Sequence, residues 1–429
     1  MRERGPERIS KRDVEAAKRA GFEPDPIAPP QRTRRPVSHA GGKVEQLRGP
    51  DELVKTIQHS LNVEPELGVR DHVHGFHSYP ARLHPVTAAR LIEHLSPVGG
   101  IVADPFCGSG TVLVEARRLG RRAVGVDLNP LAVRLSRFKT VPFAKAERAE
   151  LEAAAARVSE HAEERRIEAA GPSRRYPPEE RNAFEVHVLL ELDGLAQGIK
   201  QEPAGPIRRA LQLALSSIFS KVARAPGPEA PSKRLASGFT IRFFEGRVHE
   251  LARELGEYEA LLPERPPSVV VREADARDLA ALGLENVDVF ISSPPYPGVL
   301  DYAEYHRTRL RWLGLDATKF EEHEMGARRR MQDFDFEGAA AAWEQDFTKV
   351  LGAMRGALAP SGHVALILAD SLLGGRPYLA DRVVERCAER AKLSLVAQGS
   401  QQRPHFHRQS AKVFGPRARY EHLFILRRK

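Results

Sequence analysis

The sequence predicts an α/β domain with a doubly wound parallel sheet, and three features in its first third indicate this. A short apolar run at 101–103 leads into a glycine-containing turn at 104–111. A helical pattern follows, and a second apolar run at 123–126 ends on Asp127. Strand, glycine turn, helix, strand and acid in this order are typical of the opening of a doubly wound fold.

Four later apolar runs continue the pattern. They have the length of buried strands and are separated by stretches with helical periodicity. These runs are 269–271, 288–291, 363–369 and 421–426. The sequence therefore predicts a sheet of many strands flanked by helices.

The composition favours a protein that binds a polyanion. The chain has 429 residues, a hydrophobic content of 41% and a formal net charge of +9. A positive excess of this kind favours nucleic acid as a partner, because neutralisation of phosphates supplies affinity that does not depend on sequence. No apolar run reaches the length of about 18 residues that a membrane span needs. We therefore expect no membrane partner and a cytoplasmic location.

The glycine turn has the chemistry of a site for a ligand that carries ribose hydroxyls. Gly108 and Gly110 let the backbone approach a ligand closely, because neither has a side chain. The helix that follows presents unpaired backbone N–H groups in its first turn. Asp127, about 20 residues downstream at the next strand end, is placed to accept hydrogen bonds from a ribose.

This turn resembles motif I of class I S-adenosylmethionine methyltransferases, in particular the amino-methyltransferases of DNA. Residues 104–111 read Asp-Pro-Phe-Cys-Gly-Ser-Gly-Thr, and residues 74–80 resemble the segment that covers the cofactor in that family. The resemblance implies a Rossmann-like class I methyltransferase fold, with a mostly parallel seven-stranded sheet and a helical insertion. It implies S-adenosyl-L-methionine as the cofactor, with Asp127 at the ribose and Asp275 near the adenine amino group. The implied cofactor-binding residues are Tyr79, Asp104, Phe106, Gly108, Ser109, Gly110, Thr111, Asp127 and Asp275.

A second motif lies at the end of a later strand, where Ser293-Pro294-Pro295-Tyr296 follows the apolar run at 288–291. Two consecutive prolines stiffen a loop whose carbonyls can point into a site. An exocyclic amine is a poor nucleophile because its lone pair is conjugated with the ring, and hydrogen-bond acceptors for its two hydrogens free that lone pair. An aromatic ring next to the prolines offers a platform for a base rotated out of a duplex.

The tetrapeptide resembles motif IV of the amino-methyltransferases. In that family the first position is usually Asp or Asn in adenine-N6 enzymes and Ser in cytosine-N4 enzymes. The resemblance implies that Ser293 bonds the target amine, that the Pro294 carbonyl is a second acceptor and that Tyr296 stacks on the base, with Pro295 completing the catalytic set. It therefore implies methyl transfer to N4 of cytosine in double-stranded DNA with the target base flipped.

The cysteines and histidines favour packing roles. Cys107 and Cys387 are the two cysteines, and neither stands where a nucleophile for carbon 5 of cytosine is expected, so that reaction is disfavoured. His74 and His77 lie close together, but no third and fourth partners stand at metal spacing. We therefore expect a structural or cofactor-covering role for them and no metal.

Composition and motifs together divide the chain into four segments. Residues 1–50 are rich in Arg, Lys, Pro and Gly, which predicts a disordered basic arm. Residues 51–140 hold the cofactor motifs of the catalytic domain, and 266–429 hold its second part with the tetrapeptide. Between them, 141–265 has helical periodicity and predicts a helical insertion, the candidate for target recognition.

Three alternatives stay open. In the first, the target is N6 of adenine in DNA. In the second, the target is an amine of a base in structured RNA, because some RNA methyltransferases share a very similar motif I. The third alternative is a catalytically silent DNA-binding protein that retains the fold; the intact tetrapeptide and acids argue against it. A cognate restriction endonuclease is an open candidate partner.

Overall fold

One large sheet organises the described part of the chain. The computed structural model describes residues 41–224, 235–405 and 408–429. Within these ranges an eight-stranded sheet forms, and a two-stranded hairpin lies beside it. The strands are β1 Val44–Arg48, β2 Ile101–Asp104, β3 Arg122–Asp127, β4 Val269–Glu273, β5 Val287–Ser292, β6 Leu358–Ala369, β7 Ser371–Leu373, β8 Arg376–Tyr378, β9 Leu393–Arg403 and β10 Arg419–Arg428.

Five neighbouring strands run parallel, in the order β4, β3, β2, β5 and β6 across the sheet. Strand β10 pairs antiparallel with β6 and β9, and β1 lies at the edge beside β9. Strand β2 is central, with Ala103 opposite both Val124 and Phe290, and a strand covered on both faces has an unbroken apolar sequence. The arrangement confirms the predicted Rossmann-like fold with a mostly parallel sheet.

The strand count differs from the prediction, since the described residues form eight strands in this sheet and not seven. Strand β1 lies within the segment 1–50 that was predicted to be disordered, so that prediction was wrong for Val44–Arg48. Val44 pairs with Gln401 of β9, and a long partner strand stabilises a short segment of weak intrinsic preference. The predicted arm at 1–40 lies outside the described residues.

Strand β9 was missed by the sequence reading for a related reason. Its sequence carries Gln398, Ser400 and Gln401, which are buried although polar. A strand whose buried positions are polar shows no apolar alternation, and therefore gives no periodic signal. Hydrogen bonds replace apolar contacts here; Gln401 Nε2, for example, donates to the Leu61 carbonyl over 3.0 Å.

Helices flank the sheet and fill the predicted insertion. They are α1 Asp51–Leu61, α2 Pro85–Leu95, α3 Thr111–Arg118, α4 Pro130–Lys139, α5 Lys145–Ile167, α6 Pro178–Ala183, α7 Val186–Gln201, α8 Pro206–Val222, α9 Phe239–Ala260, α10 Tyr302–Trp312, α11 Thr318–His323, α12 Arg328–Met331, α13 Phe336–Ala357, α14 Ala380–Arg390 and α15 Arg408–Phe414. Short 3₁₀ turns occupy His72–His74 and Ala280–Leu282. Among the described residues no helix combines the length and the apolar character needed to cross a membrane.

Several helices begin at proline or asparagine residues that favour a helix N-terminus. Helices α2, α4, α6 and α8 each have proline in the first turn, where its missing N–H costs no hydrogen bond. Asn129 caps α4, because its side-chain oxygen accepts from the Leu131 N–H over 3.0 Å. This cap lies directly after β3, so it also orients the chain where Asp127 ends the strand.

Helices α5, α7, α8 and α9 pack around one apolar core that continues into the sheet domain. Leu192 and Phe244 of the insertion belong to the same cluster as Leu131 and Phe138 of α4. Buried Glu191 anchors the start of α9 by accepting the backbone N–H of Gly238 over 2.6 Å and that of Thr240 over 3.0 Å. The insertion is therefore built directly onto the helix that follows β3, while its role in target recognition stays a prediction.

Candidate cofactor and substrate site

A cavity of about 880 Å³, its open mouth included, lies where the carboxyl ends of β2 to β5 meet. Ligands of open parallel sheets bind in this position. Ten of the thirteen predicted site residues line it, from both motifs. They are Tyr79, Asp104, Phe106, Gly108, Ser109, Thr111, Asp127, Asp275, Ser293 and Pro295. Gly110, Pro294 and Tyr296 are not among the lining residues.

The two glycines of the turn adopt conformations that other residues reach only with strain. Gly108 has φ of 50° and Gly110 has φ of 83°, both in the left-handed region. A Cβ on Gly110 would lie 2.9 Å from Ser136 Oγ and 3.0 Å from its Cα, so no side chain fits there. Gly110 therefore shapes the turn from behind, while Gly108 forms part of the cavity wall.

Asp127 is held by backbone groups on both oxygens. Its Oδ2 accepts the Gly108 N–H over 2.9 Å, and its Oδ1 accepts the Asn129 N–H over 2.8 Å. Burial raises the pKa of Asp127 to about 6, against the lowering effect of these hydrogen bonds. The carboxylate is thus fixed at the cavity wall with lone pairs to spare for a ligand hydroxyl.

Asp104 connects β2 with β5. Its Oδ1 accepts the Phe106 N–H over 3.1 Å and the Ser292 hydroxyl over 2.7 Å. Burial raises the pKa of Asp104 to about 7. Ser292, which precedes the tetrapeptide and was not predicted to act, therefore links the end of β2, where the glycine turn begins, to the tetrapeptide loop after β5.

Asp275 is already engaged by a neighbouring arginine. Arg277 binds both of its oxygens, with an Nη2–Oδ2 distance of 2.6 Å, and reaches Asp346 with Nη1 over 2.8 Å. Burial alone raises the pKa of Asp275, but Arg277 lowers it below its ordinary value. Arg277 also lines the cavity, so this end of the wall presents an acid paired with a base.

Tyr79 covers the glycine turn from the segment upstream of β2. A Cβ on Gly108 would lie 3.2 Å from the Tyr79 ring, so the ring rests on the turn. The Tyr79 hydroxyl accepts from Asn129 Nδ2 over 3.2 Å, and its ring stacks on His306 with centroids 4.9 Å apart. The covering segment is thus attached both to the end of β3 and to α10.

The tetrapeptide reaches the cavity through Ser293 and Pro295. The Pro295 carbonyl accepts from the indole Nε1 of Trp343 over 3.1 Å, which holds the second proline against α13. Tyr296 is 8% exposed and packs in the core under the sheet. Its hydroxyl lies 3.0 Å from Glu421 Oε1 and 3.5 Å from Ser293 Oγ. The structure therefore brings Ser293 and Pro295 to the site and places the Tyr296 ring behind it.

The cavity also has residues that sequence reasoning missed. Glu324, between α11 and α12, accepts the Tyr302 N–H over 2.6 Å and Arg329 Nη1 over 2.6 Å. Tyr302 lines the cavity beside it, as do Phe320, His323 and Met325. Nothing in the local pattern of 313–327 marks these positions, because they reach the site only through the path of the loop.

The cysteines do not provide a nucleophile. Cys107 lies in the turn and is 4% exposed, and burial raises the pKa of its thiol well above the ordinary value. Burial likewise raises the pKa of Cys387, which lies on α14. A thiol kept protonated is a poor nucleophile, so the surroundings of both residues suit packing.

The first part of the chain matches a family described as DNA methylase, of the N6/N4 type, over residues 25–138. The Type II methyltransferase M.MvaI of Kocuria varians is 26% identical over 277 residues, which are 58% of this chain and 60% of that protein. The tRNA (guanine(10)-N2)-dimethyltransferase of Methanothermobacter thermautotrophicus is 43% identical over 53 residues, 12% of this chain and 16% of that protein. The chain thus spans less than two thirds of these relatives.

Among solved structures, a TehB-like SAM-dependent methyltransferase of Corynebacterium glutamicum aligns with 81% of this chain and 89% of its own length. The identity is 12% and the TM-score is 0.29. The strand order on its own supports the Rossmann-like fold. The family match supports the recognition made from the motifs, an amino-methyltransferase of the N4/N6 type with S-adenosyl-L-methionine as its cofactor.

Proposed function

We propose that this protein transfers the methyl group of S-adenosylmethionine to the exocyclic N4 amine of cytosine in DNA. One observation carries the proposal. Ser293 and Pro295 of the catalytic motif line the same cavity as Asp104, Gly108 and Asp127 of the cofactor motif, although the two motifs are far apart in the chain. Methyl transfer requires donor and acceptor sites to adjoin, because in-line approach supplies much of the rate enhancement.

The residues present fit the cofactor. Gly108 leaves room under the Tyr79 ring, and Asp127 offers acceptors for ribose hydroxyls. When bound, the cofactor supplies an electrophilic methyl group on a sulfonium. Asp275, held by Arg277, is the acid proposed to lie near the adenine amino group.

The chain's own contribution to chemistry is to position hydrogen-bond acceptors. Ser293 Oγ and the Pro294 carbonyl are proposed to accept the two hydrogens of the target amine, which leaves the lone pair free to face the methyl group. No thiolate is needed, in agreement with the protonated state of Cys107. The excess amine proton leaves to solvent after transfer. Tyr296 is the proposed stacking residue, and its ring must face the cavity to serve this role.

The choice of cytosine over adenine as the target base rests on Ser293, since an aspartate at this position is the usual partner of adenine N6. DNA over RNA rests on the family match and on the long alignment to a Type II methyltransferase. A base amine in RNA is the second candidate, favoured by the short but closer alignment to a tRNA methyltransferase. Recognition of double-stranded DNA by the insertion at 141–265, a cognate restriction endonuclease and a cytoplasmic location are parts of the proposal.

The decisive experiment supplies the protein with labelled cofactor and, separately, genomic DNA and total RNA. The nucleic acids are digested to nucleosides and the labelled nucleoside is identified by mass. We expect N4-methylcytosine from DNA. Label in N6-methyladenine would overturn the cytosine assignment alone, and label confined to RNA would overturn the DNA assignment. Ser293→Ala serves as the matched variant, because it removes one proposed acceptor and leaves the cofactor wall intact.

A further inference from the structure

Two histidines and a glutamate meet in a buried cluster next to the cofactor turn. His72 and His74 belong to the 3₁₀ turn at the start of the covering segment, and Glu115 lies on α3, directly after the glycine turn. The three residues are 7%, 1% and 3% exposed, respectively. The sequence offered no third partner for the histidines at metal spacing; the fold provides one from a helix 41 residues away from His74.

The cluster has the donor set of a zinc-class site. One ring nitrogen of each histidine and one oxygen of Glu115 lie within 4.8 Å of one another. His74 Nε2 is 2.8 Å and His72 Nε2 is 4.0 Å from the same Glu115 oxygen. Two imidazoles and a carboxylate are known ligands of catalytic and structural zinc, with bonds of about 2.0–2.2 Å and an open fourth position for water. Side-chain rotations are enough to draw the three atoms around one ion.

Protein groups do not fix the far side of the two rings. Their Nε2 atoms face Glu115, while their Nδ1 atoms are buried and have no hydrogen-bond partner among the described residues, so no acceptor on that side holds the rings in place. His72 also has φ of 37°, an uncommon conformation for a residue with a side chain. Strained backbone and unsatisfied polar atoms tend to persist where they serve a site.

The other oxygen of Glu115 is held by Arg118, with an Nη2–Oε2 distance of 2.7 Å. This contact fixes the carboxylate and leaves Oε1 directed at the histidines. Lys139 is also buried nearby with no partner for Nζ among the described residues, and burial lowers its pKa well below the ordinary value, which reduces its repulsion of a cation.

We propose that His72, His74 and Glu115 bind a divalent transition-metal ion of the zinc class, with water as the fourth ligand. The ion links the covering segment to α3. Because Tyr79 of that segment lies on Gly108, the ion holds the cover of the cofactor cavity in register with the glycine turn. The site is separate from the proposed methyl-transfer chemistry, and its test does not depend on activity.

The test measures metal content of the folded full chain. The protein is stripped with a chelator, reloaded with Zn²⁺ and dialysed, and bound metal is counted by mass spectrometry. We expect one ion per chain in the wild type. Loading with Co²⁺ is expected to give the visible absorption bands of a four-coordinate site containing nitrogen and oxygen ligands. His74→Gln and Glu115→Gln are expected to weaken the affinity roughly 100-fold or more, since even loss of a supporting contact costs about 10–100-fold.

Two control variants separate this site from other histidines. His59 and His94 form an exposed pair with ring centroids 5.4 Å apart, which can take up metal adventitiously. His77 lies in the covering segment but bonds Ser216 Oγ over 2.9 Å. His94→Gln and His77→Gln should keep the ion at wild-type affinity.

Glu115→Gln keeps the volume of the side chain, so it preserves a variant for comparison if His74→Gln fails to fold; circular dichroism checks both. A wild-type chain that retains no stoichiometric ion overturns the proposal. So does loss of the ion in His94→Gln with retention in Glu115→Gln.

Discussion

The two halves of the cavity are held in place in different ways. On the cofactor side, Asp127 is fixed by two backbone N–H groups, and Gly110 fits only without a side chain. On the base side, Ser293 Oγ has a 3.5 Å contact to Tyr296, whose hydroxyl lies 3.0 Å from Glu421. The proposed cofactor half is therefore organised by backbone groups, and the proposed base half by contacts between side chains.

This difference suits the chemistry of the two ligands. A cofactor that binds in every cycle gains from a site organised in advance, because less ordering is needed at binding. A base that leaves the duplex costs unstacking energy, and a loop held by side-chain contacts can adjust to the base when it enters. The variants below test the contrast in order of decreasing effect.

Asp127→Ala should disrupt the glycine turn and weaken binding of the cofactor. The loss of a charged acceptor with two backbone partners removes hydrogen bonds worth about 1.5–3 kcal/mol each. We expect cofactor affinity, measured by calorimetry, to fall roughly 100-fold or more. Asp333→Ala, at an exposed acid, is the control and should bind as the wild type does. Unchanged affinity in Asp127→Ala would show that the cofactor lies elsewhere.

Tyr296→Ala should affect the base half alone. Stacking of a base on an aromatic ring contributes about 1–3 kcal/mol, so kcat/KM for DNA is expected to fall roughly 10–100-fold. Cofactor affinity should stay at the wild-type value, because the ring is absent from the cavity wall. Loss of cofactor binding in this variant, with the fold intact, would contradict the division into two halves.

The pH dependence of cofactor binding should follow the buried acids. Burial raises the pKa of Asp127 to about 6, so the carboxylate proposed to accept ribose hydroxyls becomes protonated as the pH falls through that value. Affinity is expected to decrease roughly tenfold per pH unit below 6 for this one proton. The stability of the free chain should change in the opposite direction. The folded state binds the Asp127 proton more tightly than the unfolded state does, so protonation at low pH stabilises the fold. Asp127→Asn cannot titrate, and its weaker binding should change less with pH.

Tyr296→Phe should have the smallest effect. It removes the hydroxyl that contacts Glu421 and retains the ring, while Glu421 keeps its ion pair with Arg403. The free energy of unfolding, measured with denaturant, is expected to fall by about 1 kcal/mol. Turnover should stay much closer to the wild type than in Tyr296→Ala. Tyr305→Phe, at an exposed tyrosine, is the matched control and should leave stability unchanged.

The glycine turn and the acid after β3 could be located in the sequence because their signals are local. The glycine turn and Asp127 belong to one strand–helix–strand unit, in which backbone geometry restricts the residue at each position. The edge of the sheet could not be predicted in this way. Strand β1 is stabilised by β9, a strand with buried polar residues, and neither has the periodic apolar pattern that marks a strand in a sequence.

The sequence by itself determined the fold class and the order of the two motifs, since these depend on short-range backbone requirements and apolar periodicity. The tertiary structure decided which side chains face one another. It paired Tyr296 with Glu421 across 125 residues, placed Arg277 on Asp275, and brought Glu115 to His74. Such contacts depend on how distant elements pack, and a side chain's partner across a core leaves no mark in its own segment of the chain.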